Sequence, residues 1–207
     1  MLIGGGQKLN NVSDVFPNLV VGPAMLNTPR LRFKGFTEPW EEKLLGKIIR
    51  TIAAGNGEHQ DEGYYPLYGS TGIIGRSKTK HYFGKLILIA RVGADAGKLQ
   101  FIDEECDVTD NALIISHTDI MEENKYNLEF IYYGISAVNI KKYTFGSAQP
   151  LLTSTIIKNV SITLPSLPEQ QEIGNFFRSQ DEGIAAAEKQ VVKLKTVKQA
   201  CLQQMFA

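Results

Sequence analysis

The chain has 207 residues, of which 43% are hydrophobic and 21% are charged, and its 22 basic residues balance its 22 acidic residues. This length can bury one hydrophobic core and still supply a separate helix. No apolar run approaches the ~20 residues of a transmembrane helix and we recognise no signal peptide, so we expect a cytoplasmic chain with free thiols at Cys106 and Cys201. Because the net charge is zero, the chain as a whole has no positive charge with which to attract nucleic acid.

The sequence pattern predicts a mixed α/β (α+β) fold built around a curved, irregular sheet. Residues 1–27 contain Gly4, Gly5 and Gly6 and few periodic apolar positions, so we predict an N-terminal extension that is partly disordered. Apolar and β-branched runs predict strands at residues 86–90, 111–116 and 155–164, and residues 128–135 favour a helix. Glycines between these runs indicate turns.

Charge is unevenly distributed along the middle of the chain. Residues 76–98 contain six basic residues and one acidic residue, whereas residues 103–110 contain five acidic residues and no basic ones. If the fold separates the two segments, one basic face could meet DNA while an acidic face meets solvent or a basic partner. An ordinary mixed surface is the alternative.

Two segments combine hydroxyl, amide and cationic side chains of the kinds that contact phosphates and base edges. The first, residues 65–80 with its neighbours, supplies the candidates Tyr68, Ser70, Thr71, Arg76, Ser77, Lys78, Lys80, Arg91 and Lys98. The second, residues 141–149, supplies the candidates Lys141, Lys142 and Gln149. Gln149 could pair with adenine through two hydrogen bonds, and Arg76 or Arg91 could do so with guanine. Each residue taken alone could equally belong to a surface turn.

The sequence lacks the motifs of several enzyme classes. Gly93 to Lys98 resembles a phosphate-binding loop only loosely, because three residues rather than four separate its glycines and a leucine follows the lysine. His59, His81 and His117 lack metal-ligand spacing, and two distant cysteines make no zinc site. We therefore predict a non-catalytic chain that binds no metal; an uncharacterised nuclease is a weaker alternative.

The last forty residues predict one long helix from Pro168 to Met205, about 55 Å in length. Ser166 and Glu169 have the spacing of a capping box, and lysines gather toward the far end. Apolar side chains recur at alternating steps of four and three residues, the spacing with which one helix packs along another. We call this set the apolar seam: Ile173, Phe177, Ile184, Ala187, Val191, Leu194, Cys201 and Met205. Gln180 and Lys198 interrupt it, and a helix packed on its own domain is the alternative.

Three segments carry a family resemblance. The tail PSLPEQQEIGNFFRSQDEGIAAAEKQVVKLKTVKQACLQQMFA resembles the conserved coiled-coil region of the specificity subunits of type I restriction–modification systems. TPRLRFKGFTEPWEEKLLGKI and PLYGSTGIIGRSK resemble recognition-domain segments of the same family. The resemblance covers residues 28–207 and implies a DNA target recognition domain at residues 28–166, followed by a coiled-coil spacer and dimerisation helix at residues 167–207.

The resemblance implies a sequence-specific, non-catalytic DNA-binding subunit that reads one half of a bipartite target in double-stranded DNA. It would dock methyltransferase subunits, which bring S-adenosylmethionine, and motor endonuclease subunits, which use ATP and Mg²⁺, while binding no cofactor itself. Family members have two recognition domains, and we find one, so we predict a half-length subunit that pairs through its helix as a homodimer. A methyltransferase helix or a separate half-subunit with a different specificity is the alternative partner for the helix. The alternative from another class is a protein-interaction module without DNA binding.

Overall fold

The computed structural model describes residues 2–3, 7–8, 16–22, 28–144 and 151–206. Its strands are β1 Leu2–Ile3, β2 Gln7–Lys8, β3 Leu19–Val21, β4 Leu31–Phe33, β5 Glu41–Leu44, β6 Ala53–Ala54, β7 Tyr65–Gly69, β8 Gly72–Ser77, β9 Lys85–Ala90, β10 Leu99–Asp103, β11 Asp107–Val108, β12 Ala112–Ser116 and β13 Ser161–Leu164. Its α-helices are α1 Leu128–Ala137, α2 Ser154–Lys158 and α3 Leu167–Met205. Among these residues, no helix is long and apolar enough to cross a membrane.

A four-stranded antiparallel sheet in the order β10-β9-β12-β6 forms the centre of the domain. Strand β9 is apolar along almost its whole length because both of its faces are buried. Ile87 and Ile89 point into one hydrophobic core, and Leu86 and Leu88 point into a second. The two cores lie on opposite faces, as the two-residue period of a strand requires.

The larger core lies between this sheet, α1 and β13, and the smaller core lies between the sheet and a second sheet of three strands. The second sheet has the order β11-β7-β8, in which β11 is parallel to β7 and β8 is antiparallel to it. The predicted mixed fold with a C-terminal helix is confirmed, as are the strands at residues 86–90 and 111–116 and the helix at residues 128–135.

The single strand predicted over residues 155–164 is wrong, because its first half is the helix α2. The Thr153 hydroxyl caps this helix by accepting the backbone N–H of Ile156 at 3.3 Å, and Ile157 is fully buried in the larger core. The chain turns after Asn159 and then forms β13, which pairs antiparallel with β5. A cap and a buried position therefore outweigh the strand preference of the β-branched residues here.

Part of the predicted N-terminal extension packs on the domain. Strand β3 pairs antiparallel with β4, and the Phe16 ring meets the Phe176 ring edge to face at 5.0 Å between centroids. Residues 16–22 therefore pack on the domain, although the sequence analysis placed the start of the domain at residue 28. Most of residues 1–15 lie outside the described residues, so the disorder predicted for part of this extension stays a prediction.

The capping box predicted for α3 is wrong. Ser166 lies at the N-cap position, but its side chain makes no capping hydrogen bond. Glu169 instead accepts two hydrogen bonds from Arg32, Nε to Oε1 at 2.8 Å and Nη2 to Oε2 at 2.6 Å. Both side chains are buried, with 1% of Glu169 and 7% of Arg32 exposed. An ion pair to a distant strand thus takes the place of a local cap.

The first turns of α3 are fastened to the domain at two further points. The Gln170 side-chain oxygen accepts the backbone N–H of Asn127 at 2.9 Å, and its nitrogen donates to the carbonyls of Lys125 and Pro165. Gly174 faces α1 so closely that a Cβ atom there would lie 2.9 Å from Asn127 Oδ1. Gly174 therefore lies at the close contact between α3 and α1.

Candidate nucleic-acid interface

A hairpin formed by β7 and β8 projects next to the edge strand β10. Its tip, Ser70 and Thr71, is followed by Gly72, whose φ of 131° is a conformation that side chains rarely adopt. The Gln100 carboxamide on β10 donates to the carbonyls of Gly69 and Ser70 at 3.5 and 3.4 Å. This side chain ties the hairpin tip to the central sheet, a role that no sequence pattern indicated.

The loop between β9 and β10 brings basic residues to the same edge. The backbone N–H of Gly97 donates to the carbonyl of Ala90 at 2.8 Å, and this closes the loop beneath Lys98. A Cβ atom on Gly97 would lie 3.5 Å from the backbone nitrogen of Lys141, so the loop packs against the segment that carries Lys141. The backbone N–H of Leu152 donates to the carbonyl of Arg91 at 2.8 Å.

We call this group the basic edge: Arg91, Lys98, Lys141 and Lys142. The three lysines are exposed and form no ion pair with any residue that the structure describes. Lys142 Nζ lies 4.9 Å from the centroid of the Tyr143 ring, whose side chain is also partly exposed. Arg91 is half-buried and donates to the carbonyl of Asp110 at 3.3 Å, so it is held in place more firmly than the lysines.

Of the two arrangements that the sequence leaves open, the mixed surface is the one found for residues 76–85 and 103–107, which lie side by side. Lys80 pairs with Glu105 at 2.5 Å, and a backbone bridge joins Tyr82 to Cys106. Farther from this contact, Lys78 pairs with Glu62 at 3.7 Å and Lys85 pairs with the buried Glu129 at 2.5 Å. Carboxylates therefore offset much of the positive charge that the sequence assigned to a DNA-binding segment.

Two candidate base readers, Tyr68 and Ser77, lie in the interior and do not face solvent. The Tyr68 hydroxyl donates to Glu104 at 2.5 Å, and burial together with this bond raises the pKa of Tyr68. Ser77 is 1% exposed and its hydroxyl donates to Asp107 at 2.9 Å. Both side chains stabilise the second sheet, so we remove them from the candidate interface.

The other candidates occupy three places. Ser70 and Thr71 form the hairpin tip, and Arg76 lies on the exposed side of β8, where it donates to the carbonyl of Tyr64 at 3.0 Å. Lys78 and Lys80 follow β8 and are ion-paired. Gln149 lies outside the described residues. The structure therefore brings the basic edge and the hairpin tip together through Gln100 and leaves Arg76, Lys78 and Lys80 on a more neutral surface.

Asp107 is the centre of the polar cluster that holds this second sheet. Its carboxylate accepts hydrogen bonds from Ser77, Thr79 and the backbone of Val108, and His81 Nδ1 lies 3.0 Å from its Oδ1. Burial alone would raise the pKa of Asp107, but the hydrogen bonds from His81, Ser77 and Val108 outweigh it and lower the pKa below its ordinary value.

Because folding lowers the pKa of Asp107, its ionised form stabilises the domain above the ordinary pKa of about 4, and this contribution is lost as the pH falls. We expect Asp107→Asn to lower the free energy of unfolding at pH 7 and to cost progressively less below pH 4, in urea unfolding at several pH values. Asp103→Asn, at an exposed position, is the control. An equal cost of Asp107→Asn at pH 7 and pH 3 would contradict this prediction.

The apolar seam divides into two parts. Ile173 packs on the domain's larger core, and the Phe177 ring lies 5.1 Å from the Tyr133 ring, so these two positions meet the chain itself. From residue 181 onward every described residue of α3 is exposed, including Ile184 at 56%, Val191 at 48%, Leu194 at 58% and Met205 at 77%. Ala187 and Cys201 are exposed as well. The free part of the seam therefore begins at Ile184.

Comparison with known proteins gives the family. Residues 37–195 match the model of the type I restriction modification DNA specificity domain. The chain belongs to this family. The matched residues contain the central sheet, the basic edge and most of α3. The family resemblance predicted from the sequence motifs is confirmed.

Similar proteins include two specificity subunits that are longer than this chain. The chain is 31% identical to the type I restriction enzyme EcoprrI specificity subunit of Escherichia coli over 147 residues, which are 68% of this chain and 35% of that protein. It is 26% identical to the MjaVIII specificity subunit of Methanocaldococcus jannaschii over 189 residues, which are 82% of this chain and 42% of that protein. The chain thus spans less than half the length of these relatives.

The fold also matches a solved structure, that of the S subunit of a type I restriction-modification system from M. genitalium. The TM-score is 0.60 at 17% sequence identity, and the match covers 72% of this chain and 40% of that chain. At this identity the similarity concerns the fold alone.

Proposed function

We propose that this chain is the DNA sequence-specificity subunit of a type I restriction–modification system, with residues 28–166 as its target recognition domain. The proposal rests on one observation: the specificity domain has an exposed basic edge next to a hairpin whose tip is held by Gln100. Lys98, Lys141 and Lys142 would contact phosphates, and Ser70 and Thr71 would approach base edges or phosphates from the hairpin tip. Gln100 would position that tip without reading sequence.

In this proposal catalysis belongs to partner proteins. Methyltransferase subunits docked on the chain would supply S-adenosylmethionine and methylate an adenine amino group, and motor endonuclease subunits would use ATP and Mg²⁺. The helix α3, about 58 Å long at 1.5 Å per residue, would set the distance to the second half of the target. A homodimer through α3 would place one recognition domain at each end and read an inverted repeat with an unread spacer.

Sequencing that detects methylated adenines would test the function directly. DNA would be taken from cells that express this chain together with a type I methyltransferase subunit and from cells that express the methyltransferase alone. We expect methylation at one bipartite sequence in the first sample and none in the second. If the two samples are identical while the chain and the methyltransferase co-purify, the chain is an interaction module and the proposal is wrong.

The basic edge predicts which lysines govern DNA affinity. Replacing Lys98, Lys141 and Lys142 with alanine should weaken binding to a mixed-sequence duplex and reduce the slope of log affinity against log salt by about 0.9 for each lost phosphate contact, or up to ~2.7 in all. A gel-shift series at several salt concentrations measures both quantities. The three side chains are exposed, so their replacement should leave the fold intact.

The matched control replaces Arg76, Lys78 and Lys80 with alanine, which removes the same formal charge. We expect a smaller change in slope, because Lys78 and Lys80 already have carboxylate partners at Glu62 and Glu105. If this second variant loses more salt dependence than the first, the DNA lies on β8 and the basic edge is the wrong surface.

A further inference from the structure

Two isoleucines lie exposed at the start of β8, directly after the hairpin tip. Ile73 is 60% exposed and Ile74 is 53% exposed, and neither is among the described residues of the two hydrophobic cores. In a regular strand, adjacent side chains point to opposite faces of the sheet, so one of the two would face the domain. Here both side chains meet solvent, and we call them the isoleucine pair.

A β-bulge explains why this part of the strand does not alternate. Two adjacent residues of β7 pair with Gly75 and Ile73, which leaves Ile74 between them as an extra residue in β8. A bulge of this kind re-aims side chains and is common beside functional sites. The backbone itself therefore turns the isoleucine pair outward.

The isoleucine pair stands on a backbone that is held in place. A Cβ atom at Gly69 would lie 3.0 Å from Ile74 Cγ2 and 3.1 Å from Ile74 Cδ1, so glycine at this position leaves the space that Ile74 occupies. Gln100 holds the same part of the hairpin by its hydrogen bonds to the carbonyls of Gly69 and Ser70. Little conformational freedom is therefore lost when this surface meets a partner.

The surroundings of the isoleucine pair fit a DNA duplex. Lys98 of the basic edge comes two residues before Gln100, whose side chain contacts the hairpin tip. The apolar pair thus lies beside exposed cations, just as the base edges in a groove of DNA lie between two phosphate backbones. Large exposed apolar side chains mark sites of interaction. With cations beside them, the partner that fits is nucleic acid rather than an apolar protein surface.

The shape of the hairpin selects the major groove. Its two strands lie about 4.8 Å apart, and a two-stranded ribbon fits the major groove, about 12 Å wide, but not the minor groove, about 6 Å wide. The apolar group that a base presents in the major groove is the C5 methyl of thymine. Cytosine presents an amino donor instead, which would lose its water against an aliphatic side chain without gaining a hydrogen bond.

We propose that the isoleucine pair enters the major groove and selects thymine through its C5 methyl group. This inference rests on the proposed function and adds two specificity-determining residues and the chemical group that they recognise. Ser70 and Thr71 would contact polar base edges or phosphates in the same groove, and Lys98 would neutralise a phosphate at its rim.

Uracil substitution tests the reading of the methyl group. Deoxyuridine pairs with adenine as thymidine does and lacks only the C5 methyl. The probe is a duplex that carries the site defined by methylated-adenine sequencing, with each thymine replaced in turn by uracil, and a gel shift measures its affinity for the chain. We expect at least one replacement to weaken binding by about fourfold, the effect of removing one methyl group from an apolar contact. Equal affinity for every duplex overturns the inference, and this measurement needs no variant.

A double variant tests whether the isoleucine pair is the reader. Ile73→Ser with Ile74→Ser changes two exposed positions, so the domain should stay folded, which urea unfolding checks. This variant should bind the thymine duplex more weakly than the wild type does and should bind the sensitive uracil duplex equally well. Val21→Ser is the matched control, because it removes an aliphatic side chain that is 54% exposed on β3. The control should keep the difference between the two duplexes.

The outcomes separate this inference from the proposed function. A chain that directs adenine methylation to one sequence but does not distinguish thymine from uracil overturns the inference and leaves the function standing. A difference between the duplexes that persists in the double variant assigns the methyl contact to other residues and also overturns the inference alone. A chain that directs no methylation and prefers no DNA sequence overturns the proposed function, and the inference falls with it.

Discussion

Glu169→Ala is expected to lower the free energy of unfolding of the recognition domain by about 3–5 kcal/mol. Glu169 and Arg32 form two hydrogen bonds in a site where 1% and 7% of their surfaces are exposed. Removal of the carboxylate leaves the Arg32 guanidinium buried without its counter-charge, and an uncompensated buried charge is the expensive outcome. The loss should appear in urea unfolding as a lower midpoint with an unchanged slope.

Two comparisons separate this effect from a general loss of helix stability. Glu172→Ala removes an exposed carboxylate from the same turns of α3 and should change the free energy of unfolding by less than about 0.5 kcal/mol. Replacing both Arg32 and Glu169 with methionine removes the two charges together and should cost much less than Glu169→Ala alone. If the double variant is as unstable as the single one, the buried charge is not the cause.

This ion pair joins two distant sequence segments that both resemble the same family. Arg32 lies in the TPRLRFKGF segment and Glu169 in the PEQQEI segment, 137 residues apart, and the fold joins them at the start of α3. Gln170 and Gly174 add contacts to the loop before α1 and to α1 itself. Together these residues fix the direction in which α3 leaves the domain. In a dimer, that direction would determine the spacing and orientation of the two recognition domains.

Elements specified by local pattern could be predicted from the sequence, and elements specified by distant partners could not. The apolar run of β9 identifies a strand buried on both faces, and the heptad spacing with a proline in the first turn identifies α3. By contrast, Ser166 and Glu169 match a capping box by spacing alone, because nothing near them in the sequence shows that Arg32 competes for the carboxylate. The helix α2 was missed because Ile157 is buried by residues far away in the sequence.

In the candidate interface, too, local sequence pattern predicted some features, and contacts between distant residues determined the others. A count of charges along the chain identified basic and acidic segments, but the fold placed Lys80 against Glu105 and buried Ser77 against Asp107. Loop packing at Gly97 brings the segment of Lys98 against that of Lys141, and Lys98, Lys141 and Lys142 form no ion pair with any residue that the structure describes. The role of Gln100 was also missed, since one glutamine in a strand carries no local signal of the hairpin it supports.

Ile184→Glu together with Val191→Glu is expected to raise the dissociation constant of the proposed dimer by about three orders of magnitude or more. The two side chains are 56% and 48% exposed in the single chain, so glutamate there should leave the domain folded. In the dimer the change removes four buried apolar contacts and adds four carboxylates that must lose water. Sedimentation equilibrium measures the constant, and urea unfolding at low concentration checks the fold.

The control places the same added charge on the opposite side of the helix. Thr196→Glu with Gln203→Glu lies away from the apolar seam, so this variant should dimerise like the wild type. The seam variant should still bind a single half-site, because the basic edge lies on the recognition domain, but it should no longer require two half-sites at a fixed spacing. If it keeps bipartite recognition while sedimenting as a monomer, or if the methylated site is asymmetric, the spacer is not a homodimer of α3.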